Sequence, residues 1–411
     1  MSRRALLGSA LALPVAGMLR AAEPDLSALT DMTADARPID AAERARRLTR
    51  AQALMRTHGL SAVLIEPGSS MVYFTGVRWG RSERPTLAVL PVEGRPLIVT
   101  PFFEEPSVRQ TLAIPADVRT WNEDGNALAV AYDWLRERRL ARGAIGIEET
   151  VRFFIPAALR QVAPGLVQRS ADPVVRGTRM IKAPAEIALM QRATDVTIAA
   201  YRWTHPRVEA GMTGADVGAL MTAAMRKLGG SPEFALVLIG PAAALPHGSR
   251  EVTRVAGGQV VLMDCGCTVH GYQSDVSRTW VHGTASAEQR RVWDHVAAGQ
   301  QLALRTARVG TPAGAVDDAV RRYYTTLGYG PDYALPGLSH RTGHGIGMDG
   351  HEPVNLVRGE ATKLAPGMCF SNEPGLYLPG RFGVRLEDCF HMTADGPRWF
   401  SDPPRSIDRP V

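Results

Sequence analysis

The stretch Val260–Val281 has the sequence VVLMDCGCTVHGYQSDVSRTWV, and its pattern predicts a β-hairpin. The apolar run Val260–Met263 is long enough for a buried strand. A glycine-containing turn follows at 269–271, and an alternating pattern then resumes. If the loop has two residues, position 264 pairs with position 275 or with a near neighbour of 275.

Asp264 and Asp275 are therefore expected on one face of this hairpin, because side chains alternate with period 2 along a strand. Opposed side chains have Cβ atoms about 5 Å apart, where like charges repel. Burial of both charges costs more still unless a cation compensates. A solvent-exposed acidic pair on a sheet edge is the alternative, but the apolar run before Asp264 argues against it. The hairpin on its own favours a metal site.

The length of 411 residues favours two domains. The formal net charge is +6, and the basic residues are almost all arginine, since the chain has only three lysines, Lys182, Lys227 and Lys363. These basic residues are scattered along the sequence. The sequence contains no run of basic residues that would predict a nucleic-acid-binding surface.

Residues 1–22 are predicted to be a targeting segment. Ser2-Arg3-Arg4-Ala5-Leu6-Leu7 places two arginines before an uncharged, moderately apolar stretch, which is typical of a twin-arginine export signal. Pro14 argues against an amphipathic helix, and the stretch is too short for a stable membrane span. We therefore expect a periplasmic or exported protein, or a cytoplasmic one if the segment is not functional.

The pattern of residues 40–175 predicts an α/β domain, because strands alternate with helices. Its helices are expected at 41–57 and 126–140, and its strands at 61–65, 71–76, 86–90, 96–100 and 143–147. The ionisable residues of this domain form no compact group, so we expect a scaffold or a partner that shapes a site elsewhere. A polar linker is predicted at 172–182. The second domain, 180–411, then begins with a helix that has Pro184 in its first turn.

The second domain contains a weak internal repeat. Residues 208–217 and 308–317 are both glycine turns that start a helix, and each is preceded by a helix and followed by strands. This order predicts two halves of helix, helix and hairpin, which would bring one hairpin from each half together.

The second hairpin is predicted at 370–390, with its turn at Pro379-Gly380. A three-residue loop centred on Gly380 puts Glu373 opposite Glu387, which again makes two like charges face each other. Between the hairpins lies the histidine-rich stretch SHRTGHGIGMDGHEP, residues 339–353. Its glycines suit backbone that packs close to a crowded site.

Four carboxylates and one histidine favour Mn²⁺, with Co²⁺, Zn²⁺ or Fe²⁺ as alternatives. Four carboxylates exceed the needs of one ion, so two divalent ions about 3.5–4 Å apart fit better.

Cys265 and Cys267 share the strand face opposite Asp264 and are poor ligands for the same metal. Whether a disulfide forms among the four cysteines stays open; they are Cys265, Cys267, Cys369 and Cys389.

Four motifs occur in order between residues 261 and 389: VLMDCGCTVHGYQSDVSRTW, SHRTGHGIGMDGHEP, CFSNEPGLY and GVRLEDC. Together they resemble the pita-bread metallopeptidases, the family of creatinase, aminopeptidase P and prolidase. The segments IKAPAEIALMQRA and MVYFTG match as well. The resemblance implies an α/β N-terminal domain followed by an α+β pita-bread catalytic domain with an internal pseudo-twofold repeat. Creatinase keeps this fold without the metal ligands. In this sequence all five ligand positions of the family are matched, which favours a metallopeptidase.

Matched position by position, the resemblance implies that the two metal ions are bound by Asp264, Asp275, His344, Glu373 and Glu387. Glu373 would also take the proton of the bridging water. His351 would stabilise the developing oxyanion or assist the leaving nitrogen, and His247 would contact the substrate. His340 and Arg385 match positions behind the ligands or at a substrate carboxylate. The other histidines are expected on the surface or in packing: His58, His205, His270, His282, His295 and His391.

The implied reaction is hydrolysis of the bond between an N-terminal residue and proline, by attack of a hydroxide held between the two ions. That bond lacks an N–H, so ordinary peptidases handle it poorly. The implied partners are short proline-containing peptides and, as a homodimer or homotetramer, other copies of the chain. The sequence leaves open whether the enzyme is an Xaa-Pro dipeptidase or an Xaa-Pro aminopeptidase. The alternatives are another amide or a phosphotriester as substrate, or a non-catalytic peptide-binding protein.

Overall fold

The computed structural model describes residues 24–411, so the predicted export segment lies outside the described residues. Within this range no helix combines the length and the apolar character needed to cross a bilayer. The chain forms two successive α/β assemblies, of which the second carries both predicted hairpins.

The first half is a mixed sheet with helices on both faces. Its strands, in the spatial order β4-β3-β2-β1-β5-β6, are β1 (Leu60–Ile65), β2 (Leu87–Pro91), β3 (Leu97–Pro101), β4 (Asp117–Trp121), β5 (Ala144–Ile147) and β6 (Gln168–Ser170). Its helices are α1 (Ala41–His58), α2 (Ser69–Thr75), α3 (Glu105–Thr111), α4 (Ala127–Glu137), α5 (Phe154–Val162) and α6 (Asp172–Arg179).

The two faces of this sheet pack against different helices. Val63 and Ile65 of β1 lie in a core with α1, α2 and α6, whereas Ala62 and Leu64 lie in a core with α4 and α5. A sheet covered on both faces requires strands that are apolar throughout. The predicted α/β fold of this half is confirmed.

Two local predictions for this half were wrong. Residues 71–76 were expected as a strand, but Met71, Phe74 and Thr75 are buried at helical spacing in α2. Packing against the sheet thus outweighs the strand preference of the aromatic and β-branched residues there. The expected linker is largely helical, because α6 spans Asp172–Arg179 and buries Val174 and Val175 in the same core as α1.

The second half contains four long helices and three sheets. The helices are α7 (Pro184–Thr204), α8 (Gly214–Lys227), α9 (Ala287–Thr306) and α10 (Ala313–Thr326). The first sheet has the order β10-β8-β7, with β9 paired to β8; its strands are β7 (Ser231–Ile239), β8 (Val260–Val269), β9 (Tyr272–Gln273) and β10 (Val276–Val281). The other sheets, β12-β11-β13-β16-β17 and β14-β15, comprise β11 (Gly343–Gly345), β12 (Glu352–Leu356), β13 (Cys369–Asn372), β14 (Gly375–Leu378), β15 (Phe382–Arg385), β16 (Asp388–Thr393) and β17 (Gly396–Trp399).

The predicted internal repeat is confirmed by matching backbone contacts. Gly211 N donates to Val255 O at 2.8 Å, and Gly310 N donates to Leu364 O at the same distance. The return bonds also match, since Val255 N donates to Met212 O and Leu364 N donates to Thr311 O. Both glycines have a positive φ, +92° and +83°, which explains why the repeat is visible as glycine turns.

The first hairpin turns at His270-Gly271, which both have positive φ, and Val269 pairs with Tyr272 across a two-residue loop. This register pairs Asp264 with Ser277, a near neighbour of Asp275 and not Asp275 itself. Positions 275 and 277 share one face. Asp264 and Asp275 therefore lie on the same face, as predicted, but diagonally.

The second hairpin has the predicted register. A three-residue loop centred on Gly380, which has φ +72°, joins Leu378 to its partner Phe382. Asn372 pairs with Asp388 on the far side of a short break in the ladder, which leaves Glu373 facing Glu387.

The two hairpins are joined edge to edge. Ser277 N donates to Glu387 O at 3.3 Å, and Glu387 N donates back to Ser277 O at 3.1 Å. Arg278 lies behind this junction, where it donates to Glu387 O at 2.8 Å and to the Asp388 carboxylate at 2.6 Å. The Arg278 and Asp388 side chains are 1% and 0% exposed, so this is a fully buried ion pair at the junction.

We expect Arg278→Met to lower the free energy of unfolding by about 3–5 kcal/mol, because it leaves the Asp388 carboxylate buried without its cation. Methionine keeps much of the side-chain volume, so the loss reports on charge more than on packing. Urea unfolding of the metal-free protein measures the change.

Arg290→Met is the matched control, because Arg290 pairs with Asp408 where both side chains are about half exposed. Such surface pairs contribute little to stability. Equal destabilisation by the two substitutions would contradict a special role for the buried pair.

Candidate metal centre

A cavity of about 380 Å³ opens where the two hairpins meet. It is lined by eight of the nine residues predicted for the site: His247, Asp264, Asp275, His344, His351, Glu373, Arg385 and Glu387. The ninth, His340, lines an adjoining cavity of about 290 Å³ together with Arg341. The cavities share four lining residues, so they form one continuous site.

The five predicted ligands come from both halves of the repeat. Asp264 lies in the middle of β8, and Asp275 lies at the break between β9 and β10. His344 lies on β11, where its backbone N–H donates to Ser371 Oγ at 3.0 Å. Glu373 and Glu387 lie just beyond the ends of β13 and β15, at the break in the second hairpin. The hairpin junction thus brings residues more than a hundred positions apart into contact.

The carboxylates form two overlapping groups. Asp264, Asp275 and Glu387 each offer a ligand atom within 4.8 Å of the others, and so do His344, Glu373 and Glu387. Glu387 belongs to both groups, which suits a carboxylate that bridges two neighbouring ions. Asp275, His344 and His351 make a third group at the same spacing.

The donor atoms fit a divalent metal. His344 Nδ1 lies 3.1 Å from the Gly345 carbonyl oxygen, which favours a proton on that nitrogen and leaves Nε2 with its lone pair. Nε2 in turn lies 3.1 Å from Glu373 Oε1 and 3.7 Å from Asp275 Oδ2. Acceptor atoms so close need a proton or a cation between them. Asp264 Oδ1 is also buried without a hydrogen-bond partner in the described part of the chain.

The protonation of the carboxylates shows the same need for a cation. Burial raises the pKa of Asp275 well above its usual value, and the neighbouring Asp264 raises it further. The pKa of Glu387 is likewise raised by burial and then by Asp275. Burial also opposes ionisation of Glu373, but in the metal-free site a proton on His344 Nε2 can lie between the two side chains, and the hydrogen bond and charge that it provides lower the pKa of Glu373. Without a metal the cluster therefore retains protons that a divalent ion would displace.

Arg385 is directed at the ligands. Its guanidinium donates to Asp264 Oδ2 at 2.6 Å and to Ser277 Oγ at 2.9 Å. Ser277 Oγ in turn donates to Glu387 Oε2 at 2.7 Å. Further bonds to Tyr377 Oη and Pro246 O complete its donor set. This arrangement favours a role in holding ligands over a role in binding a substrate carboxylate.

Tyr377 and Ser277 are site residues that the sequence reasoning missed. Tyr377 Oη lies 2.8 Å from His340 Nε2, and burial raises the pKa of this phenol to about 12. Both could have been found from strand alternation, because 277 has the parity of Asp275 and 377 has the parity of Glu373. Phe234 also lines the site, from a segment that carries no recognisable pattern, and so do Arg341 and Gly350, which lie in the histidine-rich stretch 339–353 but were not singled out there.

His351 and His247 lie at the open side of the cavity. The His351 ring packs against the His344 ring with 4.1 Å between centroids. The pKa of His351 is lowered to about 4, mainly by burial and additionally by the nearby His344 and Arg341. His351 is therefore neutral at neutral pH and can donate a hydrogen bond without carrying charge. His247 is exposed and follows the 3₁₀ turn Gly240–Ala244.

The remaining histidines and the cysteines lie elsewhere in residues 24–411. His205 packs on Trp280, His295 on Tyr329 and His391 on Phe400. All four cysteines are buried free thiols, and Cys265 and Cys267 lie in the core that α7 and α8 form with the sheet. This placement agrees with the prediction that these two cysteines face away from Asp264.

Comparison with known proteins extends over almost the whole described chain. Residues 188–394 match metallopeptidase family M24, and residues 47–181 match the creatinase/prolidase N-terminal domain. A probable dipeptidase PepE of Mycobacterium tuberculosis is 34% identical over 369 residues, which cover 88% of this chain and 95% of that protein. An Xaa-Pro dipeptidase of Pyrococcus furiosus is 29% identical over 265 residues, 64% of this chain and 75% of that protein.

A solved structure confirms the fold class predicted for both halves. The crystal structure of dipeptidase PepE from Mycobacterium ulcerans superposes with a TM-score of 0.83 at 31% sequence identity, and the match covers 90% of this chain and 98% of that one. The α/β first half and the pita-bread second half therefore stand as predicted. The chain belongs to metallopeptidase family M24.

Proposed function

We propose that this protein is a dimetal peptidase that hydrolyses the bond between an N-terminal residue and proline in short peptides. The observation that carries the proposal is that two clusters of possible metal ligands lie in one cavity and share Glu387. One cluster is completed by Asp264 and Asp275, and the other by His344 and Glu373. The similarity to a Pyrococcus furiosus protein named as an Xaa-Pro dipeptidase supports the choice of substrate. All five residues that the sequence resemblance matches to the family's metal ligands line this cavity, which supports the proposal.

In this proposal Asp264, Asp275 and Glu387 hold one ion, and His344, Glu373 and Glu387 hold the other. Two such ions would lower the pKa of a water between them and polarise the scissile carbonyl. Arg385 keeps Asp264 and, through Ser277, Glu387 in position. Because these ligands are already held by hydrogen bonds, little rearrangement is needed on binding.

Glu373 acts as the proton carrier of the reaction. With both ions bound, their positive charge would keep the Glu373 carboxylate ionised, so that it can accept a proton from the attacking water. The same proton is then delivered to the proline nitrogen, which must be protonated to leave as an amine. His351, neutral and at the open side of the cavity, donates a hydrogen bond to the carbonyl oxygen as negative charge develops on it. His247 contacts the substrate from the exposed rim.

Several finer features belong to the same proposal. The oxygen-rich donor set favours Mn²⁺ over Co²⁺, Zn²⁺ or Fe²⁺. Residues 1–22 direct twin-arginine export to the periplasm, and residues 40–175 and 180–411 are the two domains that follow. The protein assembles as a homodimer or homotetramer, so that neighbouring walls restrict entry to short peptides. Elemental analysis measures the bound metal, cell fractionation measures the location, and light scattering measures the oligomeric state.

We expect metal-stripped protein to release no N-terminal residue from Ala-Pro and to regain activity when it is reloaded with Mn²⁺. Asp264→Asn should abolish this recovery, lowering kcat/KM by about 10³-fold or more, because it removes one anionic ligand from a buried site. Chromatographic detection of free alanine and proline measures the reaction, and elemental analysis gives the ion stoichiometry.

Asp408→Asn is the matched control, because Asp408 lies on the surface in its pair with Arg290. It should keep full activity and full metal content. If wild-type protein with two bound ions cleaves neither Ala-Pro nor Ala-Pro-Ala, the proline proposal is wrong. The substrate would then be sought among other amides and phosphotriesters.

We expect His351→Phe to lower kcat for Ala-Pro by about 10²- to 10³-fold with little change in KM, because a transition-state hydrogen bond is lost. The ion stoichiometry should stay at two. His391→Phe, which changes a histidine packed on Phe400 outside the cavity, serves as the control. A lower ion content in His351→Phe would instead make His351 a ligand, in the third group with Asp275 and His344.

A further inference from the structure

The strand pairing of the second hairpin is interrupted at the two positions that carry its candidate metal ligands. Strand β13 ends at Asn372 and β16 begins at Asp388, and these two residues pair. Glu373 and Glu387 lie in the break just beyond that pair. The backbone N–H of Glu373 donates to Thr342 O at 2.9 Å, whereas that of Glu387 donates to an oxygen of β10 at 3.1 Å. These bonds hold the two ligands to different parts of the fold and not to each other.

Helix α9 spans the back of this break through a reciprocal pair of amides. Gln300 Nε2 donates to the carbonyl oxygen of Asn372 at 3.4 Å, and Asn372 Nδ2 donates to the carbonyl oxygen of Gln300 at 2.9 Å. Gln300 Nε2 also donates to Asp388 Oδ2 at 3.1 Å. All three side chains are at most 1% exposed, so water does not compete for these bonds. One residue of α9 thus holds both strands at the positions next to Glu373 and Glu387.

Strand alternation explains how this amide pair can act on ligands that it does not touch. Positions 372 and 388 face α9, whereas positions 373 and 387 face the cavity on the other side of the same strands. The Glu387 carboxylate is also held within the cavity, because it accepts from Ser277 Oγ at 2.7 Å. The corresponding hydroxyl bond to Glu373, from Ser371 Oγ, is longer at 3.3 Å. Glu373 therefore depends more on support from α9.

The Asn372 amide is not explained by stability. Its Oδ1 atom is buried and has no hydrogen-bond partner in residues 24–411. A buried acceptor without a donor destabilises a fold. A leucine of similar size would remove this cost, so a role in the site explains the amide better.

We propose that Gln300 and Asn372 are positioning residues that hold Glu373 in place for metal binding. The ion affected is the one in the cluster of His344, Glu373 and Glu387, which we call the histidine-side ion. The inference rests on the proposed function and deepens it, since it names what fixes one half of the two-ion site. A ligand that is already in place before the ion arrives loses less conformational entropy on binding. The other ion, in the aspartate cluster, does not use Glu373 and should be insensitive to the amide pair.

The test is calorimetric titration of the metal-free protein with Mn²⁺, which requires no substrate. Wild-type protein should bind two ions. Gln300→Met keeps most of the side-chain volume and removes the amide. It should bind one ion as wild-type protein does and the histidine-side ion about 10- to 100-fold more weakly, the usual effect of removing a partner that supports a metal ligand.

Asn372→Leu separates positioning from stability. It should weaken the histidine-side ion in the same way, because the amide pair is broken. Urea unfolding of the metal-free variant should nevertheless be unchanged or shifted to higher urea, because the unpartnered acceptor is gone. A loss of stability that accompanies the loss of affinity would contradict the proposal, since a general loosening of the fold would then explain both.

Gln301→Met is the matched control, because Gln301 follows Gln300 on α9 and is partly exposed. It should leave both Mn²⁺ affinities unchanged. The double variant Gln300→Met/Asn372→Leu should lose no more affinity than Gln300→Met alone, because the two side chains form one contact. The proposal is overturned if Gln300→Met binds both ions as tightly as wild-type protein, if it weakens both equally, or if the losses in the double variant are additive.

The titration also separates this inference from the proposed reaction. If wild-type protein binds two ions but cleaves neither Ala-Pro nor Ala-Pro-Ala, the reaction is wrong, and the titration still decides the role of the amide pair. If wild-type protein cleaves Ala-Pro while the variants bind both ions normally, the reaction stands and this inference is wrong. A single bound ion in wild-type protein would refute the two-ion site and this inference together.

Discussion

Four carboxylates line one cavity, and their mutual repulsion determines how the surrounding polar groups are arranged. They belong to Asp264, Asp275, Glu373 and Glu387. Burial and like charges raise the pKa values of Asp275 and Glu387, so the cluster is unfavourable without positive charge. Arg385 supplies one such charge through its bond to Asp264. It cannot neutralise four carboxylates alone, which leaves a requirement for metal ions. Bringing the two hairpins together therefore requires free energy to overcome this repulsion, and metal binding offsets it.

The first half of the chain contributes to the site through a second buried cluster of charges. Arg179 and Lys182, at the junction of the halves, bind Glu352 at 2.5 and 3.0 Å. Burial would raise the pKa of Glu352, but these two cations outweigh it and lower the value to about 2. Glu352 also accepts from the N–H groups of Met348 and Asp349. These bonds fix the loop that carries His351, so the scaffold domain positions a residue of the site without lining the ligand cluster.

The sequence predicted most where the argument needed only local periodicity. Alternation placed Asp264 and Asp275 on one face, and the Pro379-Gly380 turn gave the correct opposition of Glu373 and Glu387. It could not give the exact partner of Asp264, because that depends on where a turn closes. The Arg385–Asp264 bond joins positions 121 residues apart and follows only from the packing of the two hairpins.

The internal repeat explains why the ligands divide as they do. Each half of the internal repeat ends in a hairpin with two acidic residues. The backbone hydrogen bonds between Ser277 and Glu387 join the two hairpins into one site. Neither half could hold two ions alone, since Glu387 is shared by both ligand groups. The halves are not equivalent, however, because the second one alone has the strands β11 and β12, which carry His344 and flank His351. Pseudo-symmetry therefore supplies the carboxylates, and the departure from symmetry supplies His344 and His351.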